Sequence, residues 1–181
     1  MGIFPKEFHN KVYYYLLPVL AFVLPVHERI VAVVIALVGL NWLLELNFGE
    51  KFRRLKKSKI SRLTLLFGIV YLPYVFGVFY SENFSGWSGA YFALEVKLSL
   101  LVFPLLISTI RPATIAPKFY LRILKGFIWG CFFSAFLLLN LAVYHYFQEK
   151  NPAVFFYSRL SDPFHPSYLA LYYSFAIGIL A

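Results

Sequence analysis

The chain has 181 residues, of which 61% are hydrophobic and only 14% are charged. Soluble proteins contain about 45–50% apolar and about 25% charged residues, so this composition excludes a disordered chain and a soluble globular enzyme. It predicts an all-α, polytopic integral membrane protein. The net charge of +9 is typical of membrane proteins with basic cytoplasmic loops, so we expect membrane lipids rather than nucleic acid as the partner of these charges.

Six apolar stretches along the chain are candidates for membrane helices. They are Val12–Val26, Ile30–Leu46, Thr64–Tyr80, Ala90–Ile110, Leu124–Phe147 and Ser167–Ala181. A helix rises about 1.5 Å per residue and the hydrocarbon core is about 30 Å thick, so the last stretch crosses only part of a bilayer. The pattern predicts a single domain with five full transmembrane helices and a truncated sixth, and we expect the chain to be a fragment of a longer protein.

The distribution of Lys and Arg between these stretches predicts their orientation. The N-terminus and the connections after the second and fourth stretches hold 13 basic residues, seven of them between Lys51 and Arg62. The opposite side holds only Arg29, Lys150 and Arg159. Because loops on the cytoplasmic side are enriched in Lys and Arg, the sequence predicts a cytoplasmic N-terminus.

Small and reactive residues inside the apolar stretches suggest packing rather than metal chemistry. Gly126 and Gly130 form a GxxxG pattern, which permits two helices to approach closely. Cys131 is the only cysteine, and the sequence has no Cys/His cluster with the spacing of metal ligands. We therefore expect no bound metal or other cofactor.

The first candidate site is Glu95 with Lys97 in the fourth apolar stretch. Counted from the outer end at Ala90, these residues lie about 7 Å and about 10 Å along a helix axis. Ionisable side chains at such depth usually face a polar cavity or a partner, which makes both residues substrate-binding candidates. The alternative is that Lys97 extends its ammonium outward and Glu95 lies at the membrane interface.

The second candidate site is the outward segment before the sixth stretch, which contains Arg159, Asp162 and His165 among aromatic residues. Asp162 followed by proline is also typical of a helix start. That reading explains neither Arg159 nor His165. An Arg side chain fits phosphate oxygens and a His side chain can carry a proton, so the segment suits a phosphate-bearing lipid donor. His145, near the outer end of the fifth stretch, is interpreted as an interfacial side chain.

Three segments carry a resemblance to a known family. Arg159-Leu-Ser-Asp-Pro-Phe-His-Pro-Ser-Tyr-Leu-Ala170 resembles the segment that opens the core domain of the O-antigen ligase and polymerase superfamily. The segment from Glu95 to Pro104 and the segment Asn41-Trp-Leu-Leu-Glu45 are similar to Bacteroidota-type ligase-like members. The resemblance implies a GT-C-like glycosyltransferase, of which this chain is the N-terminal part, in the bacterial inner membrane.

The same resemblance implies the substrates and the roles of site residues. The donor is a glycan on undecaprenyl diphosphate, and the acceptor is lipid A–core or another glycan. Arg159 is the diphosphate-binding candidate, Lys97 and Glu95 are further substrate-binding candidates, and His165 is the catalytic candidate. Three alternatives stay open: a polymerase of the same superfamily, a transporter or flippase for a lipid-linked glycan, and a non-catalytic membrane scaffold.

Overall fold

The computed structural model describes residues 5–57, 60–81, 89, 94, 97–110, 117–161 and 164–181. Every regular element in these ranges is a helix, and none of the described residues forms a strand. The elements in chain order are α1 Lys6–Val23, α2 Glu28–Leu44, α3 Phe48–Lys57, α4 Ile60–Phe79, α5 Ser99–Thr109, α6 Pro117–Glu149, a 3₁₀ helix Pro152–Phe155, α7 Tyr157–Ser161 and α8 Pro166–Leu180. The all-helical part of the fold prediction is confirmed for this portion of the chain.

The chain divides into two compact units. One unit is built from Trp42–Pro112, and the other is built from Pro5–Asn41 together with Ala113–Ala181. The first unit holds α3, α4 and α5, and the second holds α1, most of α2 and the helices from α6 to α8.

The second unit is organised by the contact of α1 with α6. A Cβ atom added at Gly126 would lie 2.8 Å from the carbonyl oxygen of Pro18, and one added at Gly130 would meet the carbonyl oxygen of Phe22 still more closely. Only glycine lets the two backbones approach this far, because any side chain would collide with the α1 backbone. The GxxxG pattern therefore marks a close helix contact.

The helix α8 also packs against α6. Phe127, Cys131 and Ala176 form a buried apolar cluster between α6 and α8. The ring of Phe127 meets that of Phe175 edge-on, with centroids 5.6 Å apart, and the Ser134 hydroxyl lies 3.0 Å from the Tyr173 hydroxyl. Edge-on aromatic pairs add to the stabilisation from burial. Ala21 in α1 and Leu24 at its end pack against the same cluster, so α1, α6 and α8 share one apolar core.

The prediction of five full membrane helices and a truncated sixth is wrong. Among the described residues, α6 is the one helix long and apolar enough to cross a membrane. The apolar part of α4, Thr64–Phe79, and the helix α8, Pro166–Leu180, are too short to meet that criterion. The fourth apolar stretch, Ala90–Ile110, contributes α5, which has 11 residues and a length of about 16 Å.

The physical reason for this error is that an apolar run does not determine how long a helix is. α2 has only 17 residues and begins with Glu28 and Arg29, and α1 includes Lys6, Glu7 and Lys11 in its first two turns. Charged residues and chain reversals divide the apolar sequence into helices, several of which are shorter than the hydrocarbon thickness of about 30 Å. The prediction of a single domain stays a prediction.

Candidate functional site

Arg159 is held beside the end of α6 by an ion pair. Its Nη2 atom donates to the Oε2 atom of Glu149 at a distance of 2.5 Å. Glu149 is the last residue of α6, and Arg159 lies in the short helix α7. The Arg159 and Glu149 side chains are 44% and 41% exposed, so this charged pair is open to solvent or to a ligand.

Two chain reversals bring α7 back to the end of α6. Lys150 and Tyr157 have φ angles of 54° and 51°, a left-handed conformation that residues other than glycine rarely adopt. Between them, the Oδ1 atom of Asn151 accepts a hydrogen bond from the backbone N–H of Ala153 at 3.0 Å, which starts the 3₁₀ helix. These local conformations place Arg159 opposite Glu149, although ten positions separate the two residues in the sequence.

A cavity of about 320 Å³ lies against this ion pair. The described residues that line it are His145, Glu149, Val154, Ser158 and Arg159. His145 and Glu149 are four positions apart on α6 and therefore share one face of the helix. Small-molecule pockets usually measure about 300–1,000 Å³, so this cavity fits a compact group such as a diphosphate or one sugar rather than a long glycan.

The lining of the cavity combines an imidazole, a guanidinium, a hydroxyl and a carboxylate. Within the described part of the chain, Arg159 makes one side-chain hydrogen bond, to Glu149. A guanidinium carries five N–H donors, which leaves donors of Arg159 for the oxygens of a bound anion. No group of three or more His, Cys, Asp or Glu residues among the described positions could hold a metal ion.

His165, the predicted catalytic residue, caps a helix in the structure. Its Nδ1 atom accepts a hydrogen bond from the backbone N–H of Ser167 at 3.3 Å, and this contact caps the start of α8. Because Nδ1 is the acceptor, the proton of the neutral ring lies on Nε2. His165 is exposed and is not among the described residues that line the Arg159 cavity.

Lys97, a predicted substrate-binding residue, belongs to the unit built from Trp42–Pro112. Lys97 is half-buried, and its ammonium lies 5.7 Å from the centre of the Tyr74 ring, a distance at which a cation is attracted to an aromatic face. Glu95 lies outside the described residues, as does Asp162 in the segment after Arg159. The structure therefore gives Lys97 an aromatic partner.

The Asn41–Glu45 segment, which contributed to the resemblance, forms buried structural contacts. Asn41 Oδ1 lies 2.8 Å from His9 Nδ1, and Asn41 Nδ2 donates to the His9 carbonyl oxygen at 3.3 Å. Glu45 forms an ion pair with Lys51 at 3.4 Å. These polar residues pair with side chains of the protein and are buried, so they stabilise the helices rather than face a ligand.

Sequence reasoning missed the two ionisable residues that line the cavity beside Arg159. His145 was interpreted as interfacial, and Glu149 received no role. The signal that could have identified them is their spacing of four residues at the end of a long apolar helix, immediately before the segment that carries Arg159.

Comparison of this chain with protein-family models, with curated proteins and with solved structures gave no match.

Proposed function

We propose that this chain binds the diphosphate of a lipid-linked glycan through Arg159, as part of a membrane glycosyltransferase of the O-antigen ligase type. The observation that supports this most directly is the position of Arg159 in the wall of a 320 Å³ cavity at the end of an apolar helix. A guanidinium can bind two phosphate oxygens at once, and such charge-assisted bonds are roughly twice as strong as neutral ones. The proposed donor is a glycan on undecaprenyl diphosphate.

The surface of α6 supports a membrane location, and the proposed membrane is the bacterial inner membrane. One face of the helix carries large exposed apolar side chains at spacings of three and four residues, namely Trp129, Phe132, Phe136, Leu139 and Val143. Residues 126–148 contain no Asp, Glu, Lys or Arg and extend over about 34 Å, which matches a hydrocarbon core of about 30 Å. The cavity then lies at one membrane surface, where a lipid diphosphate would be.

The side chains of the cavity suit transfer of a glycosyl group. An acceptor hydroxyl oxygen attacks the anomeric carbon of the donor, and the bond from that carbon to the diphosphate oxygen breaks. The diphosphate leaves with the electron pair and is stabilised by Arg159. The proton of the hydroxyl passes to the imidazole of His145, which lines the same cavity and is of a type suited to proton transfer near neutral pH.

The acceptor decides between a ligase and a polymerase. Transfer to lipid A–core is the ligase reaction that we propose, and transfer to another glycan is the polymerase reaction. In both cases the donor side of the site is the same, so Arg159 has the same task.

The experiment that tests this proposal measures glycan transfer by the full-length protein in membranes of a strain that lacks the native enzyme. Removing one donor that stabilises developing negative charge typically lowers the rate by about 10²–10³, so we expect that loss for Arg159→Ala. Arg159→Lys keeps the charge without the planar fork and should also lose most activity. Lys150→Ala, a change of an exposed cation on the same loop, should retain activity.

Two results would contradict the proposal. Transfer by Arg159→Ala at the parent rate, at equal protein level, would show that Arg159 takes no part in the reaction. A defect that disappears when the donor is supplied already on the outer face would instead indicate a transporter or flippase.

A further inference from the structure

The helix α3 (Phe48–Lys57) is basic and amphipathic. Five of its ten residues are Lys or Arg, and Glu50 is its one acidic residue. Phe48, Phe52 and Leu55 recur at spacings of four and three residues, which places them on one face of the helix. Phe52 is 57% exposed and Phe48 is 38% exposed. This face therefore presents aromatic rings to the surroundings of the protein.

The start of α3 is fixed by a buried lysine, so the exposure of Phe52 is a consequence of a defined packing arrangement. The ammonium of Lys51 donates to the carbonyl oxygen of Trp42 and lies 4.3 Å from the centre of the Trp42 ring. Trp42 belongs to the last turn of α2, where a positive charge stabilises the carbonyl end of a helix. The carboxylate of Glu45, 3.4 Å from Lys51, completes this anchor.

The charges of α3 indicate what kind of partner would cover the face. Arg53 is exposed and forms no ion pair within the described part of the chain. A second copy of α3 would bring like charges together, which is unfavourable. Aromatic rings beside cations fit the boundary of a bilayer with anionic lipids, where rings insert among the upper acyl segments and cations meet phosphate groups.

We infer that α3 is a contact site for anionic phospholipid at the membrane surface, with Phe52 inserted below the headgroups and Arg53 bound to their phosphates. Basic residues near an anionic membrane surface each strengthen binding by about fivefold. The inference requires that the protein is membrane-bound and does not depend on the glycosyltransferase reaction.

The test places an environment-sensitive fluorophore at position 52 of the full-length protein, through Phe52→Cys in a background with Cys131→Ala and any other native cysteine replaced. The protein is reconstituted in vesicles of phosphatidylcholine alone or with about one-third phosphatidylglycerol. We expect blue-shifted emission, and quenching by a lipid-borne quencher, only with phosphatidylglycerol. High salt should reverse both effects, because screening weakens exposed charge interactions.

Matched variants separate the Arg53 contact from a general charge effect. Arg53→Ala should lower the equilibrium constant for the inserted state by about fivefold. Arg29→Ala removes an exposed arginine at the start of another helix and should leave the label at position 52 unchanged. A label at Lys150→Cys, outside α3, should not respond to phosphatidylglycerol.

Three outcomes would overturn the inference. The first is equal emission of the label at position 52 in both vesicle types. The second is an equal effect of Arg53→Ala and Arg29→Ala on that emission. The third is a shift of the emission by single-stranded RNA in neutral vesicles, which would assign the face to nucleic acid instead. Glycan transfer is measured separately, so failure of this inference and failure of the proposed function are distinguishable.

Discussion

Lys51 and Glu45 form an ion pair with almost no access to solvent. Their side chains are 2% and 4% exposed, and their charged atoms lie 3.4 Å apart. Removing charges from water is costly, and the attraction between two buried charges offsets that cost only while both are present. The stability of this part of the chain therefore depends on the pair being complete rather than on either charge alone.

Breaking this pair from one side should destabilise the protein strongly. Lys51→Met removes the Lys51 ammonium from beside the buried Glu45 carboxylate, and breaking a buried ion pair from one side costs about 3–5 kcal/mol. The double variant with Lys51→Met and Glu45→Leu removes both charges and should recover a large part of this loss. Chemical unfolding in detergent, followed by circular dichroism, measures the free energies. Equal destabilisation in the single and double variants would contradict the argument.

Residue types alone were enough to identify Arg159 as a candidate, because few side chains recognise phosphate. The partners of Arg159 could not be predicted, since Glu149 and His145 meet its cavity only through two chain reversals at Lys150 and Tyr157. Glycine would have marked such reversals in the sequence, but neither position is glycine. The capping contact of His165 likewise depends on the backbone around Pro166.

At the scale of elements, the contact of α1 with α6 depends on two small residues. Gly130→Ala would place a methyl group against the Phe22 carbonyl, and Gly126→Ala would place one 2.8 Å from the Pro18 carbonyl. Overpacking of this kind costs about 1–3 kcal/mol, and we expect Gly130→Ala to be the more severe, because its contact is closer. Thermal unfolding of the purified protein in detergent measures the effect.

A matched control for these variants is Gly178→Ala in α8. A Cβ atom added there meets nothing within 4 Å, and alanine favours a helix over glycine by about 0.5–1 kcal/mol. Gly178→Ala should therefore raise the unfolding temperature, whereas Gly130→Ala lowers it. If both variants raise it, the effect is one of helix propensity and the proposed close contact does not limit stability.

The sequence predicted helices better than it predicted their lengths. The spacing of Gly126 and Gly130 correctly indicated where α6 meets a neighbour, because that signal is local. The predicted number of membrane helices was wrong. Hydropathy reflects how strongly side chains prefer an apolar environment to water, and it does not indicate where a helix begins or ends. The helix α5, for example, ends at Thr109. The Thr109 hydroxyl donates to the Leu105 carbonyl oxygen at 2.7 Å and accepts from Trp42 Nε1 at 2.8 Å. The hydropathy pattern does not reveal the second of these bonds, which is a tertiary contact.

At the scale of the whole molecule, the charges that flank α6 predict its direction through the membrane. The first three turns carry Lys118, Arg122 and Lys125, whereas the last residue is Glu149 and Lys150 follows it. Because cytoplasmic flanks are enriched in basic residues, we expect the Pro117 end inside and the Glu149 end outside. This orientation places the Arg159 cavity on the outer face, where our proposal requires the lipid-linked donor.

Labelling of single cysteines in intact cells with a membrane-impermeant maleimide measures this orientation. Both Lys118 and Lys150 are exposed, so cysteines at these positions, in a Cys131→Ala background, are accessible by geometry alone, and only the membrane distinguishes them. The cysteine at position 150 should react from outside, and the cysteine at position 118 should react only after the cells are permeabilised. The reverse pattern would place the Arg159 cavity in the cytoplasm, away from a donor presented on the outer face. Reaction of both cysteines in intact cells would show that α6 does not cross the membrane. The Arg159 cavity would then no longer be placed at the membrane surface where a lipid-linked donor lies.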